Sequence, residues 1–298
     1  MLTANQKDEF NALLPGQSTE QGASRRTALK VALGVGYAAA TLPIMAQTAI
    51  KTSAEGLQAG EMNFEVNGFK VPAYFAAPAG GANLPVVLVV SEIFGVHEYI
   101  ADTCRRFAKA GYLAVAPELF ARQGDPQSYG EISKLMSEVV AKVPDAQAMA
   151  DLDGAVKWAG AHGGNLDKVA ITGFCWGGRM AWLYAAHGPV KAAVAWYGRV
   201  VGTPSALAPK NPIDLVDQLR APVLGLYGEK DGGIPLTSLD QMKAALAQGS
   251  AAAKAAQFVT YPDTGHAFHA DYRPSYSKGP AEDGWKRCLA WFKAHGVA

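Results

Sequence analysis

From about residue 60 onward, hydrophobic and polar positions follow two alternating rhythms. Short runs that alternate, or stay apolar throughout, give way to longer stretches where apolar residues recur every three or four positions. The first kind reads as strand and the second as helix. "MNFEVNGFKVPAYFAAP" alternates on both sides of Asn67-Gly68, which predicts two strands joined by a tight hairpin turn. "LPVVLVVSEIFG" is apolar without a break, as in a strand covered on both faces. A helix, "HEYIADTCRRFAKAG", closes at Gly111, and "YLAVAPELF" is the next strand. A polar segment around Gly124 and Pro126 leads to two helical stretches, "YGEISKLMSEVVAKV" and "DAQAMADLDGAVKWAGAH". Then come strand "KVAITGFC", helix "GGRMAWLYAAHG", strand "VKAAVAWYG", strand "APVLGLYGEKD", helix "LTSLDQMKAALAQ", strand "AAQFVTYP" and helix "EDGWKRCLAWFKAHG".

Strands alternating with helices imply an α/β protein: a mostly parallel central sheet flanked by helices on both faces. Such sheets gather functional residues at the carboxyl ends of their strands. Here those ends carry Glu92, Glu118, Cys175, Tyr197, Asp231 and, after the last strand, His266.

The amino-terminal part follows neither rhythm. Residues 1–23 are polar and patternless, and "SRRTALKVALGVGYAAATLPIMAQTA" follows. Ser24-Arg25-Arg26 with Leu29 and Lys30 resembles a twin-arginine export signal, although Ala28 stands where phenylalanine is usual. A mildly apolar run from Val31 to Ile44 leads to small residues suited to cleavage near Ala46. The competing reading is a buried or amphipathic helix of the mature protein. A membrane span needs about 20 strongly apolar residues, more than this run offers. The expected organisation is an export signal with its polar flank over residues 1–46 and a single α/β domain over 47–298. Export by the twin-arginine machinery would place the protein in the bacterial periplasm or outside the cell, where thiols can oxidise.

Bulk composition narrows the classes. The 298 residues are 49% hydrophobic and 18% charged, with formal net charge +1. That suits a large core, and the lack of a basic run argues against nucleic acid or an anionic membrane as partner. The three cysteines, Cys104, Cys175 and Cys288, form neither a CxxC pair nor zinc-ligand spacing. Cys104 and Cys288 sit in helical patterns and read as small buried hydrophobes.

Cys175 stands apart. In "VAITGFCWGGRM" a strand runs into Gly173-Phe174-Cys175-Trp176-Gly177 and a helix follows at once. This is the frame of a nucleophile elbow, G-x-S-x-G, with cysteine in place of serine. A thiol is only slightly ionised at neutral pH, so a nucleophilic cysteine needs an imidazole to take its proton. The imidazole needs a carboxylate on its other nitrogen. Asp231 and His266 follow Cys175 in the chain order that an α/β-hydrolase uses. The elbow also sets Cys175 at a helix N-terminus, which favours an anion, and aims the Trp176 N–H at the same place. Singly, each residue has a plainer reading: packing for Cys175, a turn for Asp231, a loop histidine for His266.

These marks, with Ser91-Glu92-Ile93-Phe94-Gly95, Pro117-Glu118-Leu119-Phe120, Tyr227-Gly228-Glu229-Lys230-Asp231 and Gly265-His266-Ala267-Phe268, resemble the dienelactone hydrolase (carboxymethylenebutenolidase) family of α/β-hydrolases. The resemblance implies an α/β-hydrolase fold with no large cap domain and cleavage of a small-molecule ester or enol-lactone through an acyl-enzyme. By resemblance Cys175 is the nucleophile, His266 the base and Asp231 its orienting acid. Glu92 is the extra carboxylate that contacts the resting thiol and is displaced by substrate; the plainer reading of Glu92 is a salt bridge to Arg or Lys. Ile93 and Trp176 supply oxyanion N–H groups. No cofactor or metal is implied, and a monomer is expected.

Family members that cleave dienelactone hold the substrate carboxylate with two arginines. Residues 129–156 contain none, and Ala270 occupies the slot after His266. Arg273 could substitute from another angle, while Arg122, Arg179 and Arg199 read as solvated or structural charges. A neutral ester, lactone or thioester is then as good a substrate as an anionic dienelactone. A small open pocket is expected, lined by Phe94, Phe120, Trp176 and Tyr197, because the Arg199–Leu219 connection is too short for a sizeable lid. The competing functions are a broad-specificity carboxylesterase or thioesterase and a non-catalytic periplasmic binding protein on the same fold. A thiol redox protein fits poorly, since no second cysteine lies near Cys175 in sequence.

Overall fold

The computed structural model describes residues 50–298. The export segment expected over residues 1–46 lies outside them. Asn67 and Gly68 both take positive φ, 51° and 78°, and fold strand β1 (Leu57–Val66) back on β2 (Phe69–Pro78) with Val66 opposite Phe69. This is the predicted hairpin. It forms one antiparallel edge of an eight-stranded sheet in the order β1-β2-β4-β3-β5-β6-β7-β8. The remaining strands are β3 (Leu84–Val90), β4 (Leu113–Pro117), β5 (Gly164–Phe174), β6 (Ala192–Trp196), β7 (Val223–Gly228) and β8 (Gln257–Tyr261). From β4 to β8 every neighbouring pair is parallel.

Strands β4, β6 and β7 are buried at every position, because helices cover both faces. On one face lie α1 (Glu98–Lys109) and, after the short helices named below, the last helix α7 (Lys278–Ala294). The Phe107 ring joins these two, 4.5 Å from Trp285 between centroids. On the other face are α3 (Asp145–Ala161) and α4 (Trp176–His187). The Arg179 guanidinium donates to both Asp145 carboxylate oxygens at 2.7 and 2.8 Å, and the Tyr184 hydroxyl donates to Asp153. Helices α5 (Leu236–Leu246) and α6 (Ala251–Lys254) fill the connection from β7 to β8.

One predicted helix is shorter than its sequence pattern. "YGEISKLMSEVVAKV" divides into α2 (Ile132–Glu138) and a tight turn at Val140–Lys142. Both members of the β-branched pair Val139-Val140 are buried, and the chain tightens there to point them inward. Between β6 and β7 the chain passes through one tight helical stretch, Pro212–Gln218, and no large cap covers the carboxyl edge of the sheet among the described residues.

Candidate active site

Strand β5 ends at Phe174 and α4 begins at Trp176, which leaves a single residue to turn the chain. That residue, Cys175, has φ 54° and ψ −111°, a conformation that side-chain-bearing residues avoid. Neighbouring bonds hold it there: the Cys175 N–H donates to the Trp196 carbonyl at 3.0 Å, and the Arg179 N–H donates to the Cys175 carbonyl. The glycines on either side are required by packing. A Cβ on Gly173 would lie 2.1 Å from the Gly177 oxygen, and one on Gly177 would lie 2.3 Å from the Val90 oxygen. The G-x-C-x-G pattern is thus the trace of a backbone crossing too close for side chains. Cys175 keeps partial exposure, whereas Cys104 and Cys288 are fully buried.

Asp231 follows β7 and His266 follows β8, so the parallel sheet delivers both to the edge that carries Cys175. His266 Nδ1 lies 2.6 Å from Asp231 Oδ2, with both residues buried. The other Asp231 oxygen accepts the Gly233 N–H at 2.9 Å. Burial alone would raise the Asp231 carboxyl, but the His266 ring and these hydrogen bonds outweigh it and hold the group below its ordinary value. Burial alone would likewise lower the His266 imidazole. The Cys175 sulfur and the Asp231 carboxylate, acting by charge and by hydrogen bonds, overcome it and push the imidazole up to about 10. The Tyr197 ring stands edge-on to His266 at 5.1 Å. The three residues expected at the strand ends therefore meet in one place.

Glu92, on the loop after β3, is engaged differently from what the resemblance implied. Its Oε1 is 3.0 Å from His97 Nε2 and accepts the Tyr272 hydroxyl. Its Oε2 is buried and takes no hydrogen bond among the described residues. Among the described residues its hydrogen-bond partners are therefore His97 and Tyr272, not the thiol or an Arg or Lys. Burial would raise the Glu92 carboxyl, yet His97 and Tyr272 outweigh it and keep it below its usual value. The cluster extends inward. His97 stacks on Tyr99, whose hydroxyl lies 2.5 Å from His269 Nδ1, and burial with the nearby Arg106 charge holds His269 in its neutral form. His97 and Tyr272 were not singled out from sequence. His97 stands five residues beyond Glu92 and becomes its neighbour only because the loop doubles back at Gly95, φ 73°.

Ile93 sits on the same loop, buried beside Glu92. Trp176 opens α4, so its N–H belongs to the first helical turn, which has no intrahelical acceptor. Of the four aromatics expected to line a pocket, Phe94 is 7% exposed, Phe120 0% and Tyr197 1%, and Trp176 keeps partial exposure. The Phe120 ring packs on Trp176 at 4.8 Å. Among the arginines, Arg122 is bound to Asp151 at 2.5 Å and lies over the Phe69 ring. Arg179 is committed to Asp145, and Arg199 is exposed. Arg273 is 4% exposed, and its charge acts on Tyr197 and Tyr272, beside Glu92. Ala270 is buried.

Comparison with known proteins agrees with this architecture. Residues 71–296 match the dienelactone hydrolase family. A protein of Methylorubrum extorquens named "Putative carboxymethylenebutenolidase" is 56% identical over 97% of this chain and 99% of its own length. One of the same name from Escherichia coli is 52% identical over 88% of this chain and 96% of its own. A crystal structure described as a "Putative Dienelactone Hydrolase" from Klebsiella pneumoniae superposes with TM-score 0.76 at 55% identity, covering 80% of this chain and 98% of that one. With its strand order, its elbow and these relatives, the chain belongs to the dienelactone hydrolase family.

Proposed function

We propose that this protein hydrolyses an ester or enol-lactone by a Cys-His-Asp mechanism through an acyl-enzyme. The observation that carries the reading is the strained Cys175 turn at the start of α4, facing a His266 ring that Asp231 holds at 2.6 Å. His266 takes the thiol proton as Cys175 attacks, and the helix start favours the negative charge on sulfur. Cys175 sulfur attacks the substrate carbonyl, and the negative oxygen that forms is met by the N–H groups of Ile93 and Trp176. His266 gives its proton to the leaving oxygen as the tetrahedral species collapses to a thioester. Water, deprotonated by His266, attacks that thioester and regenerates the thiol, with Asp231 supporting the imidazolium at each step.

For the substrate, the supporting observations are Ala270 in the slot after His266 and the commitment of Arg122 and Arg179 to Asp151 and Asp145. These favour a neutral ester or lactone over an anionic one. The twin-arginine-like segment gives the same proposal a place, outside the cytoplasm; replacing Arg25 and Arg26 by lysine should then retain the protein in the cytoplasmic fraction.

The test is hydrolysis of a dienelactone and of a neutral p-nitrophenyl ester by the purified protein and by Cys175→Ala. Loss of both activities in the variant is expected. Equal inactivity of both proteins on both substrates would favour a binding protein instead.

A further inference from the structure

Glu118 follows strand β4 and has no part in the triad, yet it is bonded to the loop that carries Ile93 and to Phe120, whose ring packs on Trp176. It is 2% exposed. Its Oε2 accepts the Val96 N–H at 2.7 Å, and its Oε1 accepts the Phe120 N–H at 3.3 Å. Its own N–H is anchored on the Pro72 carbonyl at 2.8 Å, so the carboxylate hangs from the fixed β2–β4 edge. Val96 belongs to the loop that carries Glu92, Ile93 and His97. Phe120 carries the ring that packs on Trp176 at 4.8 Å. Gly95 fits this arrangement: with φ 73°, an added Cβ would lie 2.4 Å from Glu118 Oε2. The loop backbone is folded directly onto the carboxylate.

We propose that Glu118 is the positioning residue of the oxyanion hole, one buried carboxylate that fixes the Ile93 loop and the Phe120 brace behind Trp176. This rests on the Cys175 hydrolase reading given above. The hydrogen bonds of the Glu118 carboxylate go to the Val96 and Phe120 N–H groups and not to Cys175 or His266, so Glu118 governs stabilisation of the tetrahedral oxyanion and leaves the nucleophile's own reactivity alone.

The surroundings make this support sensitive to protons. Burial pushes the Glu118 carboxyl up to about 7; the two backbone N–H groups and His97 oppose the rise, and Asp125 adds to it. On the side away from Cys175 a cavity of about 320 Å³ reaches Glu118 between Tyr74 and Val96, with Glu61 of β1 and Lys70 of β2 among its lining. It gives solvent a route to the carboxylate. Protonation removes the charge that strengthens both bonds and places a hydrogen on one of the oxygens, so the hold on the two backbone anchors weakens as pH falls below about 7.

Two reactions of Cys175 separate the roles. Acylation by p-nitrophenyl acetate passes through an oxyanion, whereas alkylation by iodoacetamide displaces iodide and forms none. The buried Cys104 and Cys288 do not compete for the reagent. Glu118→Gln should slow acylation about 10- to 100-fold with KM little changed, remove the acidic limb near pH 7, and leave the alkylation rate as in the parent protein. Glu118→Asp, which keeps a carboxylate, should recover part of the rate and retain the limb. Wild-type acylation in Glu118→Gln, or an equal fall in acylation and alkylation, overturns the proposal. Ester hydrolysis that survives Cys175→Ala overturns the parent reading and this one with it; dependence on Cys175 but indifference to Glu118 overturns this one alone.

Discussion

Glu92 and His97 meet at 3.0 Å inside the protein, with side chains only 3% and 6% exposed. An uncompensated carboxylate at such depth costs several kcal/mol, and here the imidazole and the Tyr272 hydroxyl offset that cost. His97→Ala should therefore destabilise the fold by about 3–5 kcal/mol in urea unfolding, because the charge stays while its partner goes. Adding Glu92→Gln to that variant should restore part of the loss. Equal and additive losses from the two substitutions would mean that the pair is not energetically coupled. The Glu92 carboxyl is held below its ordinary 4.5, so its contribution is present above that pH and lost as pH falls through the folded value. The His97→Ala variant should lack this acid-side step.

The His266 ring shows the opposite linkage. Its folded value of about 10 lies above the ordinary 6.5, so the stability it contributes is fully present below pH 6.5 and lost as pH rises towards 10. Asp231→Asn removes one of the two charges that raise it. The variant should lose less stability over that interval than the parent, and its kcat should fall by about 10⁴-fold. Iodoacetamide alkylation of Cys175 tests the same pair kinetically. Its rate at neutral pH should fall in His266→Ala, where the thiol has no base to take its proton. Equal rates in the two proteins would dissolve the thiol–imidazole coupling.

Glu118 adds a stability term of its own. Its carboxyl rises from 4.5 to about 7 in the fold, so the folded state binds the extra proton over that interval and stability declines as pH rises through it. The full decline amounts to about 3 kcal/mol. Glu118→Gln, uncharged at every pH, should flatten the dependence of the urea midpoint between pH 4.5 and 7. An unchanged slope would show that Glu118 titrates at its ordinary value.

Which of these features could be read from sequence depends on how local their cause is. The hairpin at Asn67-Gly68 and the elbow at Gly173–Gly177 are written in adjacent residues, because the backbone at each point admits few side chains. The meeting of Cys175, Asp231 and His266 was legible because a parallel sheet brings the ends of successive strands to one edge. The engagement of Glu92 was not: it depends on a loop reversal at Gly95 and on Tyr272, far along the chain. Glu118 stood at a strand end, but its partners are the backbone amides of Val96 and Phe120, which no side-chain pattern announces. Phe120 and Tyr197, expected in a pocket wall, sit at strand ends as predicted, where their rings pack against Trp176 and His266.

The proposed preference for a neutral substrate can be tested at Glu92 and Arg273. Both are buried, and both charges act, with opposite signs, on Tyr197 and Tyr272. Paired guanidinium groups would make carboxylate recognition strong and directional, but Ala270 supplies none here. A substrate carboxylate near Tyr197 and Tyr272 would feel both charges, with opposite signs. The neutral p-nitrophenyl ester should accordingly be hydrolysed with a kcat/KM at least equal to that for the dienelactone, and salt should change neither value much. Glu92→Gln removes the negative member and should raise the dienelactone-to-neutral ratio about tenfold, while Arg273→Gln should lower it. The ratio is the informative quantity, since any general loss of stability or nucleophilicity affects both substrates alike. A dienelactone preference above tenfold in the parent protein, or a ratio that neither substitution moves, would place carboxylate recognition on residues other than these two.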